Sequence, residues 1–197
     1  MTLDPSPGPT PGPTPDLSPN DALLIVDVQN DFCPGGALAV PDGDQVVPVL
    51  NQWADAAVRA GTRVYASRDW HPGDHPSFAP EGGPWPPHCV QGTAGAAFHP
   101  DLRLPDSAIL VSKGTRFDQD QYSAFDETGF AQELSRKGVR RVVLGGLAED
   151  VCVRASALDA VKHGFETVLI RAATRAITDD GRAETERQLT DAGVAFV

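Results

Sequence analysis

Asp27 stands directly after the run Ala-Leu-Leu-Ile-Val and Lys113 directly after Ala-Ile-Leu-Val-Ser, so an acid and an amine each end a segment that reads as a buried strand. A carboxylate in that position is costly in its charged form unless a cation faces it, and otherwise its pKa rises. Taken singly, one residue suits a turn or helix cap and the other a surface lysine. Taken together they can form a partly buried ion pair. Cys152 follows the apolar run Val142–Leu144 and the pair Gly145–Gly146, where a helix should begin. A helix N-terminus stabilises a thiolate and offers unpaired N–H groups to an oxyanion. The same place also suits a small buried apolar residue.

Asp69 and His71 flank Trp70 just after another strand-like run, and in an extended segment residues i and i+2 point the same way, so the two can share a metal ion. His75 and His88 follow. An aspartate with two or three histidines is a mixed donor set suited to Zn²⁺, Fe²⁺ or Mn²⁺. His99 and His163 read as solvated. Phe32, Trp85 and Tyr122 lie in loops, where they suit either packing beneath a long loop or flanking a flat ring.

The elements that must hold these groups follow from periodicity. β-branched runs at Ala22–Val28, Arg63–Ser67, Ala108–Ser112, Arg141–Gly145, Thr167–Arg171 and Val194–Val197 read as strands. Between them lie helical stretches. The first carries Val46, Val49, Leu50, Trp53, Ala57 and Val58 on one stripe and stops at Gly61; others span Gly129–Lys137, a segment with Val151, Ala155, Leu158 and Val161 in register, and Gly181–Asp191. Alternation of this kind predicts an α/β fold: a three-layer α/β/α sandwich around a mostly parallel, doubly wound sheet of about six strands. Ligands of such sheets bind beyond the carboxyl ends of the strands, which is where Asp27, Asp69 and Lys113 fall. The segment from Asp69 to Asp106 is long, rich in Pro, Gly and His, and without periodicity, a length that points to function.

The 197 residues fit a single domain at 20–197. Residues 1–19 hold seven of the 18 prolines and read as a disordered tail. A net charge of −11 with no basic patch argues against nucleic acid and membrane-surface partners. With no long apolar run, no secretory pattern at the N-terminus and only three scattered cysteines, the expectation is a cytoplasmic protein with free thiols.

The words around these residues resemble those of the cysteine hydrolases of the isochorismatase-like superfamily, and within it the nicotinamidase branch. They are Leu-Ile-Val-Asp27-Val-Gln-Asn-Asp-Phe32, Arg-Asp69-Trp-His71-Pro-Gly-Asp-His75-Pro-Ser-Phe, Trp85-Pro-Pro-His88-Cys-Val-Gln-Gly-Thr-Ala-Gly, Lys113-Gly with Asp120-Gln-Tyr122-Ser-Ala-Phe, and Gly-Gly-Leu147-Ala148-Glu-Asp-Val-Cys152-Val-Arg, in order from Asp21 to about Thr178. The resemblance implies conversion of nicotinamide to nicotinic acid and ammonia through a cysteine thioester, in NAD salvage. By it, Asp27, Lys113 and Cys152 form a catalytic triad, and the N–H groups of Ala148 and Cys152 an oxyanion hole beside a cis Leu147–Ala148 peptide. Asp69, His71 and His88 hold one divalent ion, with Zn²⁺ favoured over Fe²⁺ or Mn²⁺. His75 is a further candidate ligand, a position at which members differ. Phe32 and Trp85 flank the pyridine ring, with Tyr122 nearby. The partner is then a small aromatic amide. Members of the superfamily often associate, and Trp53 among other apolar residues is the expected contact for a homo-oligomer. Val151 departs from the polar residue common before the cysteine and is expected to touch nothing in the mechanism. Two alternatives stay open: a cysteine amidohydrolase of the same superfamily acting on a ureido or carbamoyl substrate, and a metal-water hydrolase in which Cys152 is structural.

Overall fold

The run that ends at Asp27 is buried along its whole length, as a central strand covered on both faces requires. In the computed structural model, which describes residues 16–197, it forms β1 (Asp21–Val26) of a six-stranded sheet with β2 (Arg63–Asp69), β3 (Ile109–Lys113), β4 (Arg141–Gly146), β5 (Glu166–Thr174) and β6 (Ala195–Phe196). The order is β3-β2-β1-β4-β5-β6 and every pairing is parallel. Successive β1 side chains face opposite ways. Leu23 and Ile25 join Val64, Ala66 and Val143 in one core under helix α1 (Val46–Ala60), whereas Ala22, Leu24 and Val26 join Val142 and Leu144 in the other. Helices α2 (Phe130–Arg136), α3 (Arg154–Lys162) and α4 (Asp179–Asp191) contribute Leu134, Ala157 and Leu189 to that second core. The three layers match the sequence expectation.

Three local readings need correction. On α1 Val46, Leu50, Trp53 and Ala57 of the expected stripe are buried and Val49 packs at its margin, but Val58 is 53 % exposed, and Val47 and Ala54 join the stripe. Trp53 is buried in the α1 core, so it is not a surface for self-association. The third helix opens with a π-helical turn at Glu149–Val153, and the extra residue in that turn rotates the buried face. Ser156, Ala157 and Ala160 are the buried residues of α3, while Val151, Leu158 and Val161 pack only at the margin.

Of the Pro-rich segment, residues 1–15 lie outside the described residues. Leu17 packs at the margin of the α1 core, and the Ser18 N–H donates to the Asp21 carboxylate at 2.7 Å. Among the described residues no helix is long and apolar enough to cross a membrane.

The chain reverses direction across the sheet between β1 and β4, so a crevice opens where their carboxyl ends diverge. Register then decides who meets there. Val26 lies opposite Ser67 and Gly146, and Asp69 lies opposite Lys113.

Candidate active site

At the end of β1 the backbone turns through a left-handed residue, Asp27 (φ 49°), a conformation uncommon outside glycine and better tolerated by aspartate than by most residues. Its carboxylate accepts a hydrogen bond from Ser67 Oγ at 2.7 Å and lies 2.8 Å from Lys113 Nζ, both side chains being fully buried. Lys113 Nζ also donates to Asp69 Oδ1 at 2.5 Å and to Cys152 Sγ at 3.3 Å. The sulfur and the carboxylate oxygens of Asp27 and Asp69 lie within 4.8 Å of one another. Sulfur, acid and amine from separate segments therefore converge, with Asp69 as a fourth member.

Burial pushes the Asp27 carboxyl above its ordinary value, an effect that Lys113 opposes. Burial would lower the Lys113 pKa, but Asp27, Asp69 and Cys152 outweigh it and hold the ammonium well above its usual range. Burial also holds the Cys152 thiol well above its ordinary pKa; Lys113 works against this and the two carboxylates reinforce it. Cys152 sits inside the π turn and is 5 % exposed, so burial works against the thiolate that a helix N-terminus is expected to stabilise. The Leu147–Ala148 peptide is cis, and among the described residues the Ala148 N–H has no backbone partner.

The long loop brings a histidine cluster to the same edge. Each of the three rings is anchored through Nδ1: His71 to the His88 carbonyl at 3.2 Å, His75 to Ser77 Oγ at 2.7 Å and His88 to the Pro86 carbonyl at 2.7 Å. Outer bonds of this kind fix the orientation of metal-ligating imidazoles and leave Nε2 as the donor. Donor atoms of Asp69, His71 and His88 lie within 4.8 Å of one another, as do those of His71, His75 and Asp120. His75 Nε2 is buried with no hydrogen-bond partner, a state that an ion would relieve. Burial lowers the pKa of His75 and of His88, which favours the neutral, ligating form. Gly114 (φ 65°) packs against the cluster so closely that a Cβ there would lie 2.6 Å from His71 Nε2. These residues fit a divalent ion.

Between the triad and the cluster lies a cavity lined by Cys152, Ala148, His88, Phe32, Trp85 and Tyr122, among others. Trp85 donates from Nε1 to the Tyr122 hydroxyl at 3.1 Å and meets its ring edge to face. Phe32 is buried and lines the same cavity beside His88, the two ring centroids 5.5 Å apart. Phe32, Asp69, Trp85, His88, Tyr122, Ala148 and Cys152 line this cavity, His71 and His75 lie in the cluster beside it, and Asp27 and Lys113 are buried behind Cys152 and Asp69.

Sequence reasoning missed several neighbours. Val151, expected to touch nothing in the mechanism, lines the cavity with Ile177 from its place in the π turn. Gln29 is a buried clasp: its amide donates to the Asp69 and Ala96 carbonyls and its oxygen accepts the Asp69 N–H. Asp31 accepts the Cys89 N–H at 2.7 Å and so ties the His88 segment to β1. Both lie within the Asp27 word, and polar residues at the edge of a buried strand were the available signal. Asp120 and Gly114 carried no chemical signal of their own.

The isochorismatase domain model matches residues 21–197. A nicotinamidase of Escherichia coli is 39 % identical over 180 residues, covering 81 % of this chain and 84 % of the relative. Among solved structures, the pyrazinamidase of Pyrococcus horikoshii in complex with zinc superposes with a TM-score of 0.88 at 44 % identity, over 90 % of this chain and 98 % of the other. A protein of L. infantum in complex with nicotinate superposes with a TM-score of 0.83 at 41 % identity, over 92 % of this chain and 94 % of the other.

Proposed function

Because this chain belongs to the isochorismatase domain family, we propose that it is an amidohydrolase that converts nicotinamide to nicotinic acid and ammonia, with Cys152 as nucleophile and Asp27 and Lys113 as its catalytic partners. The observation that carries the reading is the Cys152 Sγ held 3.3 Å from Lys113 Nζ and within 4.8 Å of the Asp27 carboxylate, on the wall of an aromatic-lined cavity. Nicotinamidase relatives of similar length add to it.

Asp27, made more basic by burial, takes the thiol proton as sulfur attacks the carboxamide carbon. Lys113 stays protonated throughout; its ammonium offsets the negative charge as it moves from carboxylate to sulfur. The oxyanion that develops on the carbonyl oxygen is met by the N–H groups of Ala148 and Cys152, donors of a type worth about 3–4 kcal/mol each in transition-state stabilisation. Protonated Asp27 returns its proton to the departing ammonia. A water molecule then attacks the thioester, with Asp27 again as base, releasing nicotinate and the thiol.

Phe32 and Trp85 hold the ring between them, and Tyr122 closes the side through its bond from Trp85. Asp69, His71 and His88, with His75, would hold the divalent ion, Zn²⁺ first among Zn²⁺, Fe²⁺ and Mn²⁺. When bound, such an ion supplies a Lewis-acidic site for the pyridine nitrogen and so orients the amide.

The test is ammonia release from nicotinamide against a panel of aliphatic, ureido and carbamoyl amides, for the wild type and Cys152→Ala. The expected result is release from nicotinamide that is abolished in Cys152→Ala while nicotinamide still binds. Release at the wild-type rate by Cys152→Ala would favour metal-water hydrolysis, and a preference for ureido or carbamoyl compounds would favour the other alternative.

A further inference from the structure

The aspartate and histidines assigned to the ion leave one acid on the same cavity without a role. Asp120 is half-buried on the loop after β3, with Oδ1 3.8 Å from His71 Nε2 and within 4.8 Å of both the His71 and the His75 donor atoms. That oxygen accepts the Gln121 N–H at 2.9 Å, which fixes the carboxylate on the cluster side of the loop. His75 Nε2, buried and without a partner, completes the same trio. The two donor trios share His71, and between them they present three imidazoles and the carboxylates of Asp69 and Asp120. Formal charge points the same way. Lys113 lies against Asp27 and Asp69, whereas Asp120 has only the His71 and His75 rings beside it on the cluster side, so its carboxylate is left for a cation to meet.

We propose that Asp120 is a direct ligand of the divalent ion, completing with His75 the half of the coordination sphere that Asp69 and His88 leave open. The inference rests on the metal-binding part of the proposed function and goes beyond it in naming the donor set. Two carboxylates and three imidazoles exceed the four ligands of a tetrahedral zinc site and suit an ion of higher coordination number. Removing the second hard oxygen donor therefore weakens Mn²⁺ more than Zn²⁺.

The experiment uses the metal-stripped full chain, with affinities for Zn²⁺ and Mn²⁺ from competition with a chromophoric chelator and coordination from the visible absorption of the Co²⁺-loaded protein. Variants are Asp120→Asn, Asp120→Ala and Asp118→Asn, the last removing an exposed carboxylate of the same loop. Circular dichroism of the metal-free proteins checks that each is folded. Both Asp120 variants are expected to lose about 10–100-fold in affinity, more for Mn²⁺, and their Co²⁺ bands to intensify as coordination number falls; Asp118→Asn is expected to match the wild type. Affinity within twofold of wild type overturns the proposal, as does an unchanged Co²⁺ spectrum or an equal loss in Asp118→Asn. A wild-type protein that binds none of the ions overturns the metal reading itself, a result distinct from those three.

Discussion

Lys113→Met tests the buried charge arrangement most directly. The ammonium is fully buried, 2.8 Å from Asp27 and 2.5 Å from Asp69, and methionine nearly matches its volume, so the change removes charge with little change in packing. Breaking a buried pair by deleting one partner costs about 3–5 kcal/mol, because the remaining charge is left without compensation. For a domain of this size about 2–4 °C of Tm accompanies each kcal/mol. The chelated variant is therefore expected to melt roughly 6–20 °C below the chelated wild type. Without the cation that opposes it, burial raises the Asp27 pKa further, so its protonated form stabilises the fold; the deficit shrinks as pH falls and grows as pH rises through the folded-state value. Adding Asp27→Asn removes one unpaired charge, and the double variant should recover much of the loss in Tm while remaining inactive on nicotinamide. Differential scanning calorimetry between pH 4 and 8 with a parallel ammonia assay reads all of this. A single variant melting within a degree or two of wild type, or a double variant no more stable than the single one, would refute the reasoning.

Two further outcomes follow from the same site. Burial raises the Asp27 pKa in the folded chain, so the stability its protonated form contributes is lost as pH rises through the folded-state value: the Tm of Asp27→Asn relative to wild type should move upward as pH rises through that value and downward as it falls, while turnover is lost; calorimetry across pH checks the sign. Gly114→Ala places a Cβ 2.6 Å from His71 Nε2 at a positive φ, so it should lower Tm by several degrees and weaken the metal about tenfold or more, measured by scanning calorimetry and chelator competition.

Much of this molecule is written in short-range pattern. The run before Asp27 announces a strand covered on both faces, and the run before Lys113 the end of another; Asp69 and His71 declare themselves by alternation, and the resemblance of five separate words carried the rest of the site. What local pattern does not contain is the strand order, and that order decides which groups meet. Only the β3-β2-β1-β4 arrangement sets Lys113 beside Asp69 and Asp27, so that a residue read as a metal ligand also holds the lysine. Val151 was misread because a helix turn of π pitch moves a side chain from one environment to another without changing the sequence around it, and Trp53, rightly placed on the α1 stripe, is buried too deeply to serve as a contact surface. Asp120 and Gly114 were quoted in a motif without a role, since one matters for where its oxygen lies and the other for an atom it lacks. Sequence by itself therefore determined the elements and the chemical types available, because both depend on a few neighbouring residues. The partnerships among them, and hence the charge balance of the site, were decided by tertiary structure, because they depend on distances between segments that lie far apart along the chain.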